Sequence, residues 1–452
     1  MGIQASSFVL TNEKIIFLSA VALRLLVLIF FVALLQFHSF PFPIIGSDSV
    51  HYLAATERLF ETGHFLNHMG EPNTTELPGY PLFLAAALTL FKTIWIIPIL
   101  QAIMAGFTAI LLFRIGSVIS TRVGVSAAML FVVDPAGLYY SNTILTEPLF
   151  LLLLLAAVYV MTRTAHVLLP LAAGFLLGLA TMVRPVGEVL VPAGIIYYII
   201  SQTTWRERSR ASFLFVIGFL IIVGPWMARN KIIFDSFELS NTPAWQFYQA
   251  HAPHFYAYKN NIEPKEAEEI FHQRLLAVDP YKDEVITGKV GSLRHTPYLW
   301  QVSLNYLKED LFGFAKFHAI KTIPFFISDG LRDIAERLDV LPVGGPRIGD
   351  LFLEKDIKSF INIFLQNKLV GLLLICGASF WIFITLCAIA GMWRAFTRNE
   401  KQRALLIFAF LAVTATAVVA GGVVSSPRYR FSISPFLFLL ASYGFWTAVW
   451  SF

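Results

Sequence analysis

Residues 15–37 read IIFLSAVALRLLVLIFFVALLQF. One charge, Arg24, interrupts an apolar run that, at about 1.5 Å of helical rise per residue, is long enough to cross a bilayer core of about 30 Å. It is too long for a signal-peptide core and shows no small-residue cleavage site, so it reads as a retained signal anchor. Comparable runs recur to the end of the chain. Of its 452 residues, 57% are hydrophobic and only 14% charged, where a soluble chain would carry roughly a quarter. Mean hydropathy is +0.68. The sequence is that of an all-α polytopic membrane protein.

In such a chain the net charge of +5 orients loops and is no sign of nucleic-acid binding. Arg114 and Arg122 flank one short loop, Arg163 lies in a second, Arg206, Arg208 and Arg210 fill a third, and Arg394, Arg398, Lys401 and Arg403 a fourth. With all four loops cytoplasmic, about ten crossings result, both termini inside. Segments 79–91 and 313–327 are then left as interfacial or re-entrant helices. The chain divides into an N-terminal transmembrane catalytic module (1–230, with a first outer loop 38–78), an outer region with interfacial helices (231–366), and C-terminal transmembrane helices (367–452). Cys376 and Cys387 have neither metal-ligand spacing nor a persuasive pairing, and read as apolar packing.

This topology gathers polar residues on the outer side. Asp48 follows the first span, Glu147 opens a span in SNTILTEPLF, Arg184 ends one in GLATMVRPVGE and Arg229 another in GPWMARN, while Arg428 and Arg430 sit in SSPRYRF. A lone charge at a helix end is usually a snorkelling anchor, which suffices for Arg122 and Arg163. Two carboxylates and several arginines on one face must instead pair, line a wet cavity or bind a ligand. Planar guanidiniums suit a phosphate. In GSDSVHYLAATERLF, residues 46–60, Asp48, Tyr52, Ala55 and Leu59 share one helical face, with His51 and Arg58 on the adjacent stripe. Ser47 or Asp48 also fits an N-cap. In SSPRYRF an extended backbone would aim Arg428 and Arg430 at one anion, Tyr429 pointing away. Gly174 and Gly178 fit close helix packing. The sequon at Asn73 matters only in a eukaryotic secretory compartment, and His64, His68 and Glu71 read as solvated loop residues.

The order D-x-x-x-Y-x-x-A, Pro-Gly-x-Pro turn, L-T-E-P-L-F, G-L-A-T-x-x-R-P, P-W-x-x-R-N and late P-R-Y-R resembles the GT-C glycosyltransferases. The similarity is to the protein O-mannosyltransferase-like and lipid A aminoarabinose transferase-like family. It covers nearly everything except 240–366. The resemblance implies a GT-C-like bundle and transfer of a hexosyl or pentosyl group from a polyprenyl-phosphate donor. The acceptor, a lipid, glycan or protein, lies on the non-cytoplasmic face of a bacterial or archaeal plasma membrane. Carried over by position, Asp48 matches the family's first-loop catalytic aspartate, Glu147 a second acid, and Arg428 or Arg430 the arginines near the donor phosphate; Arg184 and Arg229, on the same face, are further donor-phosphate candidates. Two departures stand out: Ser49 where a Glu often follows the first acid, and Leu77 where a basic residue often precedes the proline turn.

The chemistry expected is inverting, with Asp48 as general base and Glu147 orienting Asp48 or the sugar. A divalent metal shared by the two acids is an option, although no His-rich cluster accompanies them. His51, Tyr52, Arg58, Tyr80 and Tyr429 are the acceptor and sugar contacts. Trp245, Tyr248, Tyr256 and Tyr258 offer stacking platforms, and apolar faces of 186–202 and 431–450 a place for the lipid tail. A secondary transporter would carry its charges near mid-membrane in two related halves. A flippase of lipid-linked sugars would bind the same phosphate without an essential acid.

Overall fold

The computed structural model describes residues 2–35, 44–46, 48–163, 165–277, 292–338, 340–342, 348–354, 357–397 and 402–449. Ser47, Arg398, Lys401 and the expected end of the first span at Phe37 lie outside them. The first half is an almost unbroken series of helices. They are α1 (Gly2–Leu35), α2 (Ser49–Thr62), α3 (Gly79–Phe91), α4 (Ile96–Ser117), α5 (Thr121–Val133), α6 (Pro135–Tyr140), α7 (Glu147–Met161), α8 (Leu169–Val183), α9 (Val191–Ser201) and α10 (Trp205–Phe234). The segment 231–366 holds α11 (Thr242–Gln246), α12 (Ala252–Asn260), α13 (Pro264–Leu276), α14 (Thr296–Lys308), α15 (Leu311–Ile327), α16 (Leu331–Arg337), α17 (Ile348–Glu354) and α18 (Ile357–Gln366). The chain closes with α19 (Lys368–Thr397), α20 (Arg403–Ala420), α21 (Pro427–Phe431) and α22 (Ser434–Val449).

Among the described residues, five helices are long and apolar enough to cross a membrane: Thr11–Ala33 of α1, and α4, α10, α19 and α20. Six shorter apolar segments, including α3, α7, α8 and α22, accompany them. Local signals set the boundaries. Ser120 caps α5 by accepting from Val123 N–H, and Thr204 with Glu207 forms a reciprocal capping box at the start of α10. Two arginines inside the bundle are partnered: Arg114 of α4 meets Glu13 of α1 at 2.8 Å, and fully buried Arg24 donates to Ser141 Oγ and the Phe131 carbonyl.

Helices α8 and α10 meet along a glycine seam. A methyl on Gly174 would sit 1.9 Å from the Phe215 carbonyl oxygen, and one on Gly218 would sit 2.0 Å from that of Leu171. Only glycine permits that approach, and in an apolar medium the resulting backbone contact is what holds two helices together. The final helix departs from expectation. Phe436, Leu437, Phe438, Leu439, Leu440 and Ala441 are all buried, so its first three turns are core and offer no lipid-tail face.

The segment 231–366 has small cores of its own. Tyr248, Phe271, Leu275 and Leu299 form one, and Phe255, Leu307 and Phe317 another. Beside them lies His251, buried against His318 with ring centroids 5.4 Å apart. Burial, then the neighbouring His318 and His254, push the His251 imidazole down to about 4. Folding therefore favours its neutral form. Its contribution is complete above the unfolded value near 6.5, is lost as pH falls through the window between the two values, and levels off below about 4. Stability is expected to drop by roughly 2 kcal/mol between about pH 7 and about pH 5 from this group alone. Thermal unfolding followed by intrinsic fluorescence checks this: His251→Gln should flatten that slope.

Candidate active site

The residues ahead of α2 and α7 are laced together. Ile144 N–H donates to the Ile44 carbonyl at 2.8 Å, and Ser49 Oγ bridges Gly46 N–H to the Ile144 carbonyl, both at 2.8 Å. Beneath them, buried Gln101 of α4 donates to the carbonyls of Ser141 and Thr143 at 2.9 and 2.7 Å, while its Oε1 accepts from Tyr80 Oη at 2.7 Å. An amide alone in an apolar helix needs such partners. The loop that delivers Glu147 is thereby fixed, and Asp48 is fixed against it.

Glu147 is fully buried at the start of α7. Its Oε1 meets Arg184 Nη1 at 2.5 Å and Arg428 Nε at 2.6 Å. Arg184, the last residue of α8's capping turn, also donates to Thr146 Oγ1 at 2.8 Å. Arg428 Nη1 reaches Asp48 Oδ2 at 2.6 Å. A buried carboxylate with two guanidiniums escapes the cost of an unpaired charge. Asp48 occupies the N-cap position of α2 but makes no capping hydrogen bond with its side chain. Its carboxylate is 44% exposed, against 16% for Arg428. Burial alone would pull the Arg428 guanidinium down. Glu147 and Asp48 outweigh that and hold it well above the ordinary arginine value.

Asp48, His51, Tyr52, Arg184, Arg428 and Tyr429 all border one cavity of about 840 Å³. Burial pushes the Tyr52 phenol up to about 12, so it stays a neutral hydrogen-bonding group. Trp245, Gln246 and Arg294 form the cavity's outer wall, and Val186, Val189, Val419 and Ala420 an apolar flank. Glu147 lies behind this surface as the partner that holds both arginines.

Other expected site residues sit elsewhere. Tyr80 is buried on Gln101. Arg58 is exposed and pairs with Glu61. Arg229 donates to the Asn73 carbonyl and stacks on Trp226 at 4.5 Å, tying α10 to the first outer loop. Asn73 itself is fully buried, which removes the sequon from any glycosylating enzyme's reach. Of the stacking candidates, Trp245 lines the cavity, whereas Tyr248 is core, Tyr256 packs on Tyr306 and Tyr258 on Phe317.

Arg430 is the clearest correction. SSPRYRF is not extended: Ser426 accepts from Arg428 N–H and Pro427 opens the helical turn α21. Ser at the N-cap with Pro at N1 is a strong helix start, and the pre-proline restriction touches only Ser426. At about 100° per residue the two arginines diverge. Arg430 is fully buried, its guanidinium 3.5 Å from the Trp381 ring centroid and its Nη1 donating to the Phe325 carbonyl at 2.8 Å. It faces no anion in the cavity.

A metal shared by Asp48 and Glu147 does not fit this arrangement, because the Arg428 guanidinium stands between the two carboxylates. Among the described residues no group of three or more His, Cys, Asp or Glu is placed to hold one.

Comparison with known proteins agrees with this architecture. Residues 72–228 match the family model of dolichyl-phosphate-mannose-protein mannosyltransferases. No curated protein matches the sequence. Among solved structures, the oligosaccharyltransferase AglB from Archaeoglobus fulgidus, in complex with an inhibitory peptide and a dolichol-phosphate, superposes with a TM-score of 0.54 at 14% identity over 97% of this chain. The same organism's oligosaccharyltransferase tethered to an acceptor peptide gives 0.52 at 13% identity, also over 97%. The chain spans about half the length of each, 50% and 49%. Fold and family match together answer the question raised by the motif order: the chain has the fold of the GT-C membrane glycosyltransferases, and its residues 72–228 match the dolichyl-phosphate-mannose-protein mannosyltransferase family.

Proposed function

We propose that the protein moves a sugar from a polyprenyl-phosphate donor to an acceptor hydroxyl by single displacement with inversion, on the outer face of the membrane. The observation that carries this reading is that Asp48, Arg428 and Arg184 line one cavity while Glu147 behind them holds both arginines. Asp48 takes the hydroxyl proton as the acceptor oxygen attacks the anomeric carbon. The bond from that carbon to the phosphate oxygen breaks, and its electron pair leaves with the polyprenyl phosphate. Arg428 and Arg184 carry the growing phosphate charge through paired, charge-assisted hydrogen bonds, so no acid is needed at the leaving group. The apolar flank at Val186, Val189, Val419 and Ala420 suits the first isoprene units of the lipid. The AglB structure with dolichol-phosphate supports a lipid-phosphate donor in this fold.

Membranes containing the protein, supplied with labelled polyprenyl-phosphate sugars, should yield a labelled acceptor and free polyprenyl phosphate. Lipid-linked sugar that changes leaflet with no transfer product would identify a flippase instead. The outward orientation has its own test. Cysteine labelling should find Ser209 cytoplasmic and Glu268 outside, because the arginine-rich loops stay in. Labelling of both from one side would overturn the ten-crossing topology.

A further inference from the structure

We infer that the Asp48–Arg428 contact is a latch on the base, opened by the phosphate of the bound lipid. This rests on the reading above, in which Arg428 meets the donor phosphate. Arg428 is anchored at one edge only: its Nε is fixed on buried Glu147, which Arg184 also holds, while Nη1 projects to the cavity and ends on Asp48 Oδ2 at 2.6 Å. The Asp48 oxygen that accepts this charge-assisted hydrogen bond is shared with a guanidinium that cannot give up a proton in return. In the resting protein the one cavity-facing carboxylate among these four groups is thus held by Arg428.

A phosphate arriving at Nη1 changes this in two ways. It carries more charge and more acceptor oxygens than a single half-exposed carboxylate, so it takes the cavity-facing edge of Arg428 without disturbing Nε. It also releases Asp48 Oδ2 from Arg428, so that this oxygen can accept from the acceptor hydroxyl. The base is therefore switched on by the substrate it serves. An acceptor hydroxyl or a water that enters first meets a paired, unreactive carboxylate. Binding is ordered, donor before acceptor, and wasteful hydrolysis is suppressed. After transfer the polyprenyl phosphate leaves, and Arg428 returns to Asp48.

Infrared difference spectroscopy on the full-length protein in lipid nanodiscs tests the latch. The Asp48 carboxylate band is assigned by its loss in Asp48→Asn. Adding undecaprenyl phosphate should shift that band, and adding undecaprenol, which lacks the phosphate, should not. Arg428→Gln should show the shifted band from the outset and no further change with lipid phosphate, and the wild-type comparison alone decides should that variant fail to fold. Native mass spectrometry reports binding in parallel. A lipid phosphate that binds without moving the band overturns the latch and leaves the phosphate site standing. An equal shift with undecaprenol also overturns it. No binding at all overturns both the latch and the phosphate assignment.

Discussion

Asp48→Asn should lower transfer by about two to four orders of magnitude, the usual cost of removing a general base. The amide has nearly the same shape, and its oxygen still accepts from Arg428 Nη1, so folding and donor affinity should hold. The loss belongs to turnover and not to KM for the donor. Single-turnover assays with labelled donor, alongside donor-binding measurements, separate the two. Wild-type turnover in the Asn variant would make Asp48 a structural partner of Arg428 and point to an acceptor that arrives already ionised.

Arg428→Lys is expected to cost transfer about two to three orders of magnitude, comparable to removing a fixed donor from a developing anion. Charge is retained, but one ammonium cannot reproduce the fork that spans Glu147 and Asp48 at 2.6 Å each. Donor affinity should weaken as well. Arg430→Lys is the matched control. Its site is a closed pocket under Trp381, where a compact, strongly hydrated ammonium is poorly accommodated. That variant should lower thermal stability and leave donor affinity unchanged once folded. Donor binding that suffers more from Arg430→Lys than from Arg428→Lys would reverse the assignment.

Asp48, Glu147, Arg184 and Arg428 were legible in the sequence because a charge beside an apolar segment is costly and must be met by something. The rule says that a partner exists without naming it, so Arg430 was placed with the phosphate although its partners are an indole and a carbonyl in the core. Spacing alone could not settle its direction, since Arg-Tyr-Arg converges in a strand and diverges in a helix. The Ser-Pro start holds the better signal: it restricts Ser426 but begins a helical turn at Pro427. Gln101 was missed altogether, yet a single amide in IIPILQAIMAG carries the same cost argument as the charges. Tyr80, expected as a sugar contact, has its hydroxyl turned inward to Gln101, which only the packing shows. The crossing count was the least legible feature. Helices such as α3, with 13 residues, and α7, with 15, are apolar but short, and composition does not separate a tilted span from a buried helix.

The glycine seam between α8 and α10 divides the machine into stator and rotor. Its strength comes from backbone in direct contact, which neither lipid nor detergent competes for, so the two helices form one stiff block. Arg184 is bolted to the end of that block and pinned to Thr146. Arg428 rides on a single helical turn between two connecting segments. That turn is itself pinned by Arg430 under Trp381 and by Arg428 Nε on Glu147, so any motion at the site is expected at the Nη1 edge of Arg428, with Arg184 and Glu147 as the fixed reference.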